Sequence, residues 1–348
     1  MKIVDLFCGA GGMSLGFEEE GFKSVLAVDL WEDAIKTYNF NRKHQTAKCI
    51  DIHELDDSYL DSLKSDSKIH GIIGGPPCQG FSSVGKRDEN DNRNSLYLEY
   101  VRFVEKLTPD FFVLENVKGL LTLANGYYKR DIIDRFNEIG YNVNFQILKA
   151  SDFGVPQNRQ RVFFVGLRRD IFGEGLFFDF PKPYDYKIST AEALSDLPSL
   201  SENEHNNIFK SQPNNNYQLK MRNSDFVHNH EITHHTKNTI DIISKVKDGG
   251  SILDLDPSFY SVRNYKTTFK RMNSKEPSIT IDCGHRNYFH FEENRVPTVR
   301  ESARLQSFFD SYVFKGSKTS QYVQVGNAVP PLLAKVIATQ LKKLYKEI

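Results

Sequence analysis

No strictly apolar run in these 348 residues exceeds four; the longest are residues 25–28, 111–114 and 162–165. A membrane span needs roughly 20, so none is expected. Net charge is missing as well: 45 Lys plus Arg meet 45 Asp plus Glu. That balance excludes a globally basic nucleic-acid coat but leaves room for a local basic face. Cysteines are few, at positions 8, 49, 78 and 283, and no two stand as Cys-x-x-Cys. A zinc knuckle, a redox pair and a disulfide framework are therefore not expected, and the thiols read as reduced and cytosolic. An acid arrives at Asp5, too early for a signal peptide, so a cytoplasmic location is expected. What is present, 39% hydrophobic and 12% aromatic residues, is the composition of a folded chain long enough for two domains.

The first 170 residues alternate short apolar strands (2–7, 24–29, 47–50, 69–74, 111–115, 141–148, 161–167) with helical spacing at 32–42, 96–107 and 128–139. Strand and helix alternating at this pitch predict an α/β fold: a doubly wound, mainly parallel sheet with helices on both faces. Near Pro181 the character changes. From 181 to about 295 the chain is polar, rich in Asn and poorly periodic, and it carries seven of the ten histidines. Its charges balance, yet residues 257–275 hold Arg263, Lys266, Lys270, Arg271 and Lys275 without an acid. Apolar order returns at residues 300–309 and ends in a helix from about 330 to 344, with Pro near its first turn.

Two loops follow strands and look chemical. Asp5-Leu6-Phe7-Cys8-Gly9-Ala10-Gly11-Gly12-Met13-Ser14 is a Gly-rich turn that lets a ligand approach the backbone. It fails the dinucleotide fingerprint, because the third glycine would fall on Ser14; this also argues against a nicotinamide dehydrogenase. Asp29 ends the second strand, where it can bind ribose hydroxyls, and Trp31, the only tryptophan, can stack on adenine. Together they suggest a nucleoside cofactor without a pyrophosphate, which S-adenosylmethionine fits; the alternative is a tight turn and a packing Trp. The second loop, Gly74-Gly75-Pro76-Pro77-Cys78-Gln79-Gly80-Phe81-Ser82, is stiff and aims Cys78 from a strand's C-terminal end. A thiolate so placed is a strong nucleophile.

With these signatures stand Arg93-Asn94-Ser95-Leu96-Tyr97, Glu115-Asn116-Val117, Gln157-Asn158-Arg159-Gln160-Arg161-Val162, the stretch from Thr298 to Gln306, and Gly326-Asn327-Ala328-Val329-Pro330. In that order the chain resembles the DNA cytosine-5 methyltransferase family, over nearly all its length except residues 181–280. The nearest likeness is to bacterial enzymes that methylate short duplex sites beside a restriction enzyme. The resemblance implies the S-adenosylmethionine-dependent methyltransferase fold with a smaller, irregular target-recognition domain. It implies domains at 1–180 (catalytic and cofactor-binding) and 181–316 (target recognition), with 317–348 folding back onto the first.

It also implies a covalent mechanism: Cys78 adds to carbon 6 of a flipped-out cytosine, and carbon 5 takes the methyl. Glu115 would hold ring nitrogen 3, Arg161 the carbonyl oxygen, and Arg159 would support the same loop. Phe7, Gly9, Gly11, Leu15, Asp29, Trp31, Asp51, Ile52, Pro76, Leu96 and Asn327 would surround S-adenosylmethionine, which leaves as S-adenosylhomocysteine. Duplex DNA is the implied partner, met by Ser82, Lys86 and Arg87 on a lid-like loop and by the basic run Arg263, Lys266, Lys270 and Arg271. The plain alternative for that run is a solvated face. His228, His230, His234 and His235 lack a spaced carboxylate or cysteine to complete a metal site, and none is expected. A monomer, with any cognate nuclease acting separately, is the expected state. Phe309 replaces a Pro common in the family, which bears on loop shape and not on chemistry. Two readings compete: an RNA cytosine-5 methyltransferase, against which Gln79-Gly80-Phe81 speaks, and a non-catalytic DNA-binding homologue, against which Cys78, Glu115 and Arg161 speak.

Overall fold

The fold begins from a buried strand, β1 (Lys2–Leu6), in a computed structural model that describes residues 1–77, 95–200, 207–262, 269–284 and 287–346. Six more strands join it: β2 (Lys23–Asp29), β3 (Ala47–Cys49), β4 (Gly71–Gly74), β5 (Phe111–Val117), β6 (Tyr141–Lys149) and β7 (Gln160–Arg168). Their order is β3-β2-β1-β4-β5-β7-β6. β3 to β5 are mutually parallel. β7 runs antiparallel to both β5 and β6, so the expected mainly parallel sheet carries one reversed strand.

The apolar runs are continuous because both faces of the sheet are covered. Adjacent residues of β5 point to opposite faces. Phe112 meets Tyr100, Phe136 and Tyr141 on one side; Phe111 meets Phe17, Phe22 and Tyr345 on the other. The covering helices are α1 (Gly12–Glu18), α2 (Glu32–Phe40), α3 (Asp57–Asp66), α4 (Ser95–Leu107), α5 (Tyr127–Glu138) and the short α6 (Arg169–Phe172). α4 buries Tyr97, Tyr100, Phe103, Val104 and Leu107, a helical stripe at three- and four-residue spacing. Tyr100 also sets its hydroxyl between the carbonyls of Ile72 and Val113, at 3.1 and 3.0 Å, across β4 and β5. α3 was not marked by periodicity; Leu60 is its one buried residue, and its N-terminus is fixed instead by the Asp56 cap on the Tyr59 N–H.

The chain divides into two compact units: residues 1–149, 160–182 and 334–348, and residues 150–159 and 183–333. These bounds differ from the expected 1–180, 181–316 and 317–348 in two places. Residues 150–159 join the second unit because Asn158 N–H donates to Ser278 O, Ser278 N–H to Pro156 O, and the Asn158 amide to Pro277 O. Residues 317–333 stay there because Gln306 donates to Val325 O and Ala328 O, and the Tyr322 hydroxyl to Pro297 O.

The second unit holds α7 (Thr190–Leu194), α8 (Asn216–Met221), α9 (Lys237–Lys245), α10 (Val299–Leu305) and α11 (Lys318–Asn327), and the short parallel pair β8 (Lys270–Arg271) and β9 (Tyr288–Phe289). A last helix, α12 (Pro331–Leu344), carries the chain into the first unit. With little regular ladder, the second unit satisfies its backbone by buried charge. Arg304 is fully buried between Asp196 and Asp310 and also donates to Ala193 O. Arg300 donates to the carbonyls of His228, Phe309 and Tyr312, which fixes the loop at Phe309. His230 bridges Thr298 and Pro198 O. Among the described residues no cluster of His, Cys, Asp or Glu is arranged to hold a metal.

Arg304→Met leaves two buried carboxylates without a counter-charge and is expected to cost about 3–5 kcal/mol. Urea denaturation measures it; a loss below about 1 kcal/mol would mean that the triad is not what holds α7 to α10.

Candidate functional site

The parallel strands β1 to β5 all end at one edge of the sheet, where ligands sit in open α/β sheets. After β1 the backbone turns sharply: Phe7, Gly9 and Gly11 have φ of 59°, 50° and 80°. For Phe7 this is a strained conformation of order 1–3 kcal/mol. Asp29, at the end of β2, holds the turn open. One carboxylate oxygen accepts the Gly9 N–H at 2.8 Å and the other the Trp31 N–H at 2.9 Å. Burial raises the pKa of its carboxyl despite these bonds. Beside Gly9, no atom of the described residues lies within 4 Å of where a Cβ would stand, so among them the turn is open on that side.

In the first unit Phe7, Leu15, Trp31 and Asp51 are partly buried, and Ile52, after β3, is buried. The N–H of His53 bonds the Asp51 carboxylate at 3.0 Å and keeps its pKa below the usual range. Beneath the turn lies Asp5, 1% exposed, whose carboxyl burial pushes up to about 7. Burial also drives the Cys8 thiol up, and Cys8 packs in a cluster with Ala27, Ile35, Tyr38 and Ala47.

The second cluster lies where β4 and β5 end. Glu115 Oε1 meets Arg161 Nε at 3.0 Å. In the antiparallel register Glu115 faces Phe163 and Val117 faces Arg161, so Glu115 and Arg161 are diagonal neighbours on one face. Gly75 begins the Pro-Pro-Cys loop against this pair. A Cβ there would stand 2.7 Å from Glu115 Oε2, so only glycine lets the loop pass. Asn116, alternate to Glu115, is buried and donates to Pro76 O at 2.9 Å. Sequence reasoning gave Asn116 no role; the one available signal was an amide directly after an apolar strand.

Cys78, Ser82, Lys86, Arg87, Arg263 and Lys266 lie outside the described residues. Leu96 is half-buried in the first turn of α4 and Pro76 is buried. Arg159, 1% exposed, donates to Ile281 O at 3.0 Å and Gly326 O at 2.9 Å. Its guanidinium thus serves the second unit's backbone. Asn327 closes α11 there, its Oδ1 2.9 Å from the Cys283 thiol. Lys270 is exposed. Arg271 is a correction. It is 6% exposed, and its guanidinium donates to the carbonyls of Val246, Ile243, His290 and Glu293 and to Asn294 Oδ1. A cation so consumed holds the β8 region together and is not available to a phosphate.

Residues 1–343 match the family described as C-5 cytosine-specific DNA methylase. The Type II methyltransferase M.DdeI of Desulfomicrobium norvegicum is 40% identical over all of this chain and 90% of its own length. The Type II methyltransferase M1.HphI of Haemophilus parahaemolyticus is 38% identical over 99% of this chain and 87% of its own. A crystal structure of a putative DNA modification methyltransferase encoded within an E. coli prophage superposes with a TM-score of 0.83 at 27% identity, covering 99% of both chains.

The buried Asp5 carboxyl makes stability depend on pH. Its folded pKa, about 7, lies above the ordinary 3.8, so the folded chain holds this proton more tightly than the unfolded chain. The contribution is complete below about pH 4 and is lost as pH rises through about 7. Asp5→Asn is expected to match the parent at pH 4 and to be the more stable at pH 8, by urea denaturation. An offset that does not change with pH would show the carboxyl to be ordinary.

Proposed function

The chain belongs to the family of C-5 cytosine-specific DNA methylases, and on that footing we propose its reaction in detail: it moves a methyl group from S-adenosylmethionine to carbon 5 of a cytosine within a specific short duplex DNA sequence. The observation that carries this reading is the Glu115–Arg161 pair, 3.0 Å apart at the strand edge, with the Pro-Pro-Cys loop starting against it.

Carbon 5 of cytosine is too electron-poor to attack a sulfonium methyl unaided. Cys78, four residues beyond the end of β4, adds through its thiolate to carbon 6. Electron density moves toward ring nitrogen 3 and the carbonyl, and carbon 5 becomes nucleophilic. Glu115, protonated or sharing a proton with nitrogen 3, holds that nitrogen and accepts from the exocyclic amine, and Arg161 donates to the carbonyl oxygen. Their mutual ion pair orients both before the base arrives, so little reorganisation remains for the reaction. Once carbon 5 has taken the methyl from the sulfonium, loss of its proton to solvent and expulsion of the Cys78 thiolate restore the aromatic ring. The base must leave the duplex stack to reach this edge. Arg159 supports the loop through backbone carbonyls and does not touch the base.

The Gly-rich turn fits S-adenosylmethionine, which supplies an electrophilic methyl when bound. The open space at Gly9 admits its methionine end beside Phe7, Gly11 and Leu15. Asp29 has oxygen lone pairs left for the ribose hydroxyls. Trp31 offers the adenine a ring face, and Asp51 and Ile52 flank it; Pro76 and Leu96 complete the set within the first unit. Ser82, Lys86, Arg87, Arg263, Lys266 and exposed Lys270 are the proposed DNA contacts, with Arg271 removed from that group. Two relatives are named Type II methyltransferases, which supports a role in protecting DNA from a cognate restriction enzyme that acts separately. A cytoplasmic monomer fits this role; among the described residues no helix is long and apolar enough to cross a membrane.

Purified protein incubated with genomic DNA and S-adenosylmethionine, followed by bisulfite sequencing, should show methylcytosine at one short recurring sequence. Absence of any methylated site overturns the reading. Cys78→Ala should abolish transfer while calorimetry still detects S-adenosylmethionine; full activity in that variant refutes the covalent role. Trp31→Ala should weaken cofactor binding by about 1–3 kcal/mol, the worth of one stacked base, and an unchanged affinity removes Trp31 from the adenine site.

A further inference from the structure

Arg42 follows α2 by two residues and lies under the Gly-rich turn, its side chain 9% exposed. Its donors go to both sides of that turn. Nε faces both Glu18 oxygens, at 3.0 and 2.9 Å. Nη1 donates to Tyr38 O at 3.1 Å. Nη2 donates to Gly11 O at 3.2 Å and to Ser14 Oγ at 3.1 Å. The guanidinium carbon sits 3.6 Å from the centre of the Tyr38 ring.

The turn has no room for a different occupant of this space. A Cβ on Gly11 would stand 2.6 Å from Tyr38 Cδ2 and 2.9 Å from both terminal nitrogens of Arg42. Gly11 itself has φ of 80°. The guanidinium therefore braces the Gly11 carbonyl, and with it the path from Gly9 to Ser14, from below. Within the turn the Gly11 N–H returns to Cys8 O at 2.8 Å, and the Gly11 carbonyl also accepts from Leu15 N–H at 3.0 Å and from the Ser14 hydroxyl at 3.3 Å, so Arg42 adds a brace from outside the turn to bonds made inside it.

Resting on the cofactor reading above, we propose that Arg42 is a positioning residue for S-adenosylmethionine: it fixes the Gly-rich turn in its binding shape by bracing Gly11 and Ser14 against Glu18 and Tyr38. The planar fork is essential to this arrangement. Lysine keeps the charge but offers three donors from one point and cannot lie flat on Tyr38 while reaching Glu18 and Gly11. Arg42 acts through the turn's backbone, so its loss changes cofactor affinity and leaves the machinery at Glu115 and Arg161 intact.

The test compares full-length wild type, Arg42→Ala and Arg42→Lys by calorimetric titration with S-adenosylmethionine and by steady-state kinetics, well below each variant's melting temperature. Arg42→Ala should raise both Kd and KM for S-adenosylmethionine about tenfold, roughly 1.4 kcal/mol, with kcat and the KM for DNA within twofold. Millimolar guanidinium ion should recover part of that affinity in Arg42→Ala and none in wild type. Arg42→Lys should fall between the two. If Arg42→Ala does not fold, Arg42→Lys alone decides, and wild-type affinity in it overturns the proposal. A lowered melting temperature with unchanged affinity, or a fall in kcat at constant KM for S-adenosylmethionine, also overturns it. A wild-type protein that binds no S-adenosylmethionine would instead overturn the cofactor reading, which separates the two failures.

Discussion

The reversal of β7 is the constraint on which the candidate chemistry depends. β7 begins at Gln160 and runs against β5, so its first residues lie at the edge where β5 ends. Arg161 therefore meets Glu115. A β7 parallel to β5 would start at the far edge and carry Arg161 a full strand length away. The same reversal leaves the four apolar residues 162–165 to fill the sheet's interior, while the polar end stays at the rim. The pair thus results from strand direction, and strand direction is set by how β6 and β7 pair over nine residues.

The two units are stabilised by different means. The first follows the ordinary rule for open α/β sheets, with apolar strands covered on both faces. The second has short helices and a two-residue strand pair, so many of its carbonyls have no ladder partner. Buried arginines supply the donors. Arg159, Arg271, Arg300 and Arg304 all donate to main-chain oxygens, and most make several such bonds. Each guanidinium has five N–H groups in a rigid fork and can close several loop segments at once. The cost of desolvating the charge is offset by carboxylates where they are present, as with Asp196 and Asp310, and by carbonyl dipoles elsewhere.

This division explains what could be read in the amino-acid sequence. The seven strands of the sheet were legible to within two residues at nearly every end, because an apolar run bounded by turn residues has few other uses. Glu115 and Arg161 were legible through motif order, but their contact was not, since nothing in composition distinguishes a reversed strand from a parallel one. Arg271 was misread because a basic run looks alike whether its cations face solvent or carbonyls; burial decides, and burial is a tertiary property. The excursion of residues 150–159 into the second unit was invisible for a similar reason: ten residues tied by main-chain bonds to Ser278 and by the Asn158 side-chain amide to Pro277 O leave no shift in hydrophobicity. Asn116 and Arg42 share this fate, as polar residues with partners distant in sequence: Pro76 O for Asn116, and Gly11 O and the Glu18 carboxylate for Arg42.

The first unit is stitched from three separate stretches, and the last of them returns very late. Tyr345 covers Phe111 with its ring and reaches Asp110 with its hydroxyl at 3.0 Å, and Lys342 donates to Glu20 O across 322 positions of chain. A chain emerging from the ribosome therefore leaves part of one side of its central sheet, the part that Tyr345 covers, open until residue 345 has been made. Contacts of such separation slow folding and leave apolar surface uncovered meanwhile. That interval is when the uncovered part of the sheet is open to wrong partners.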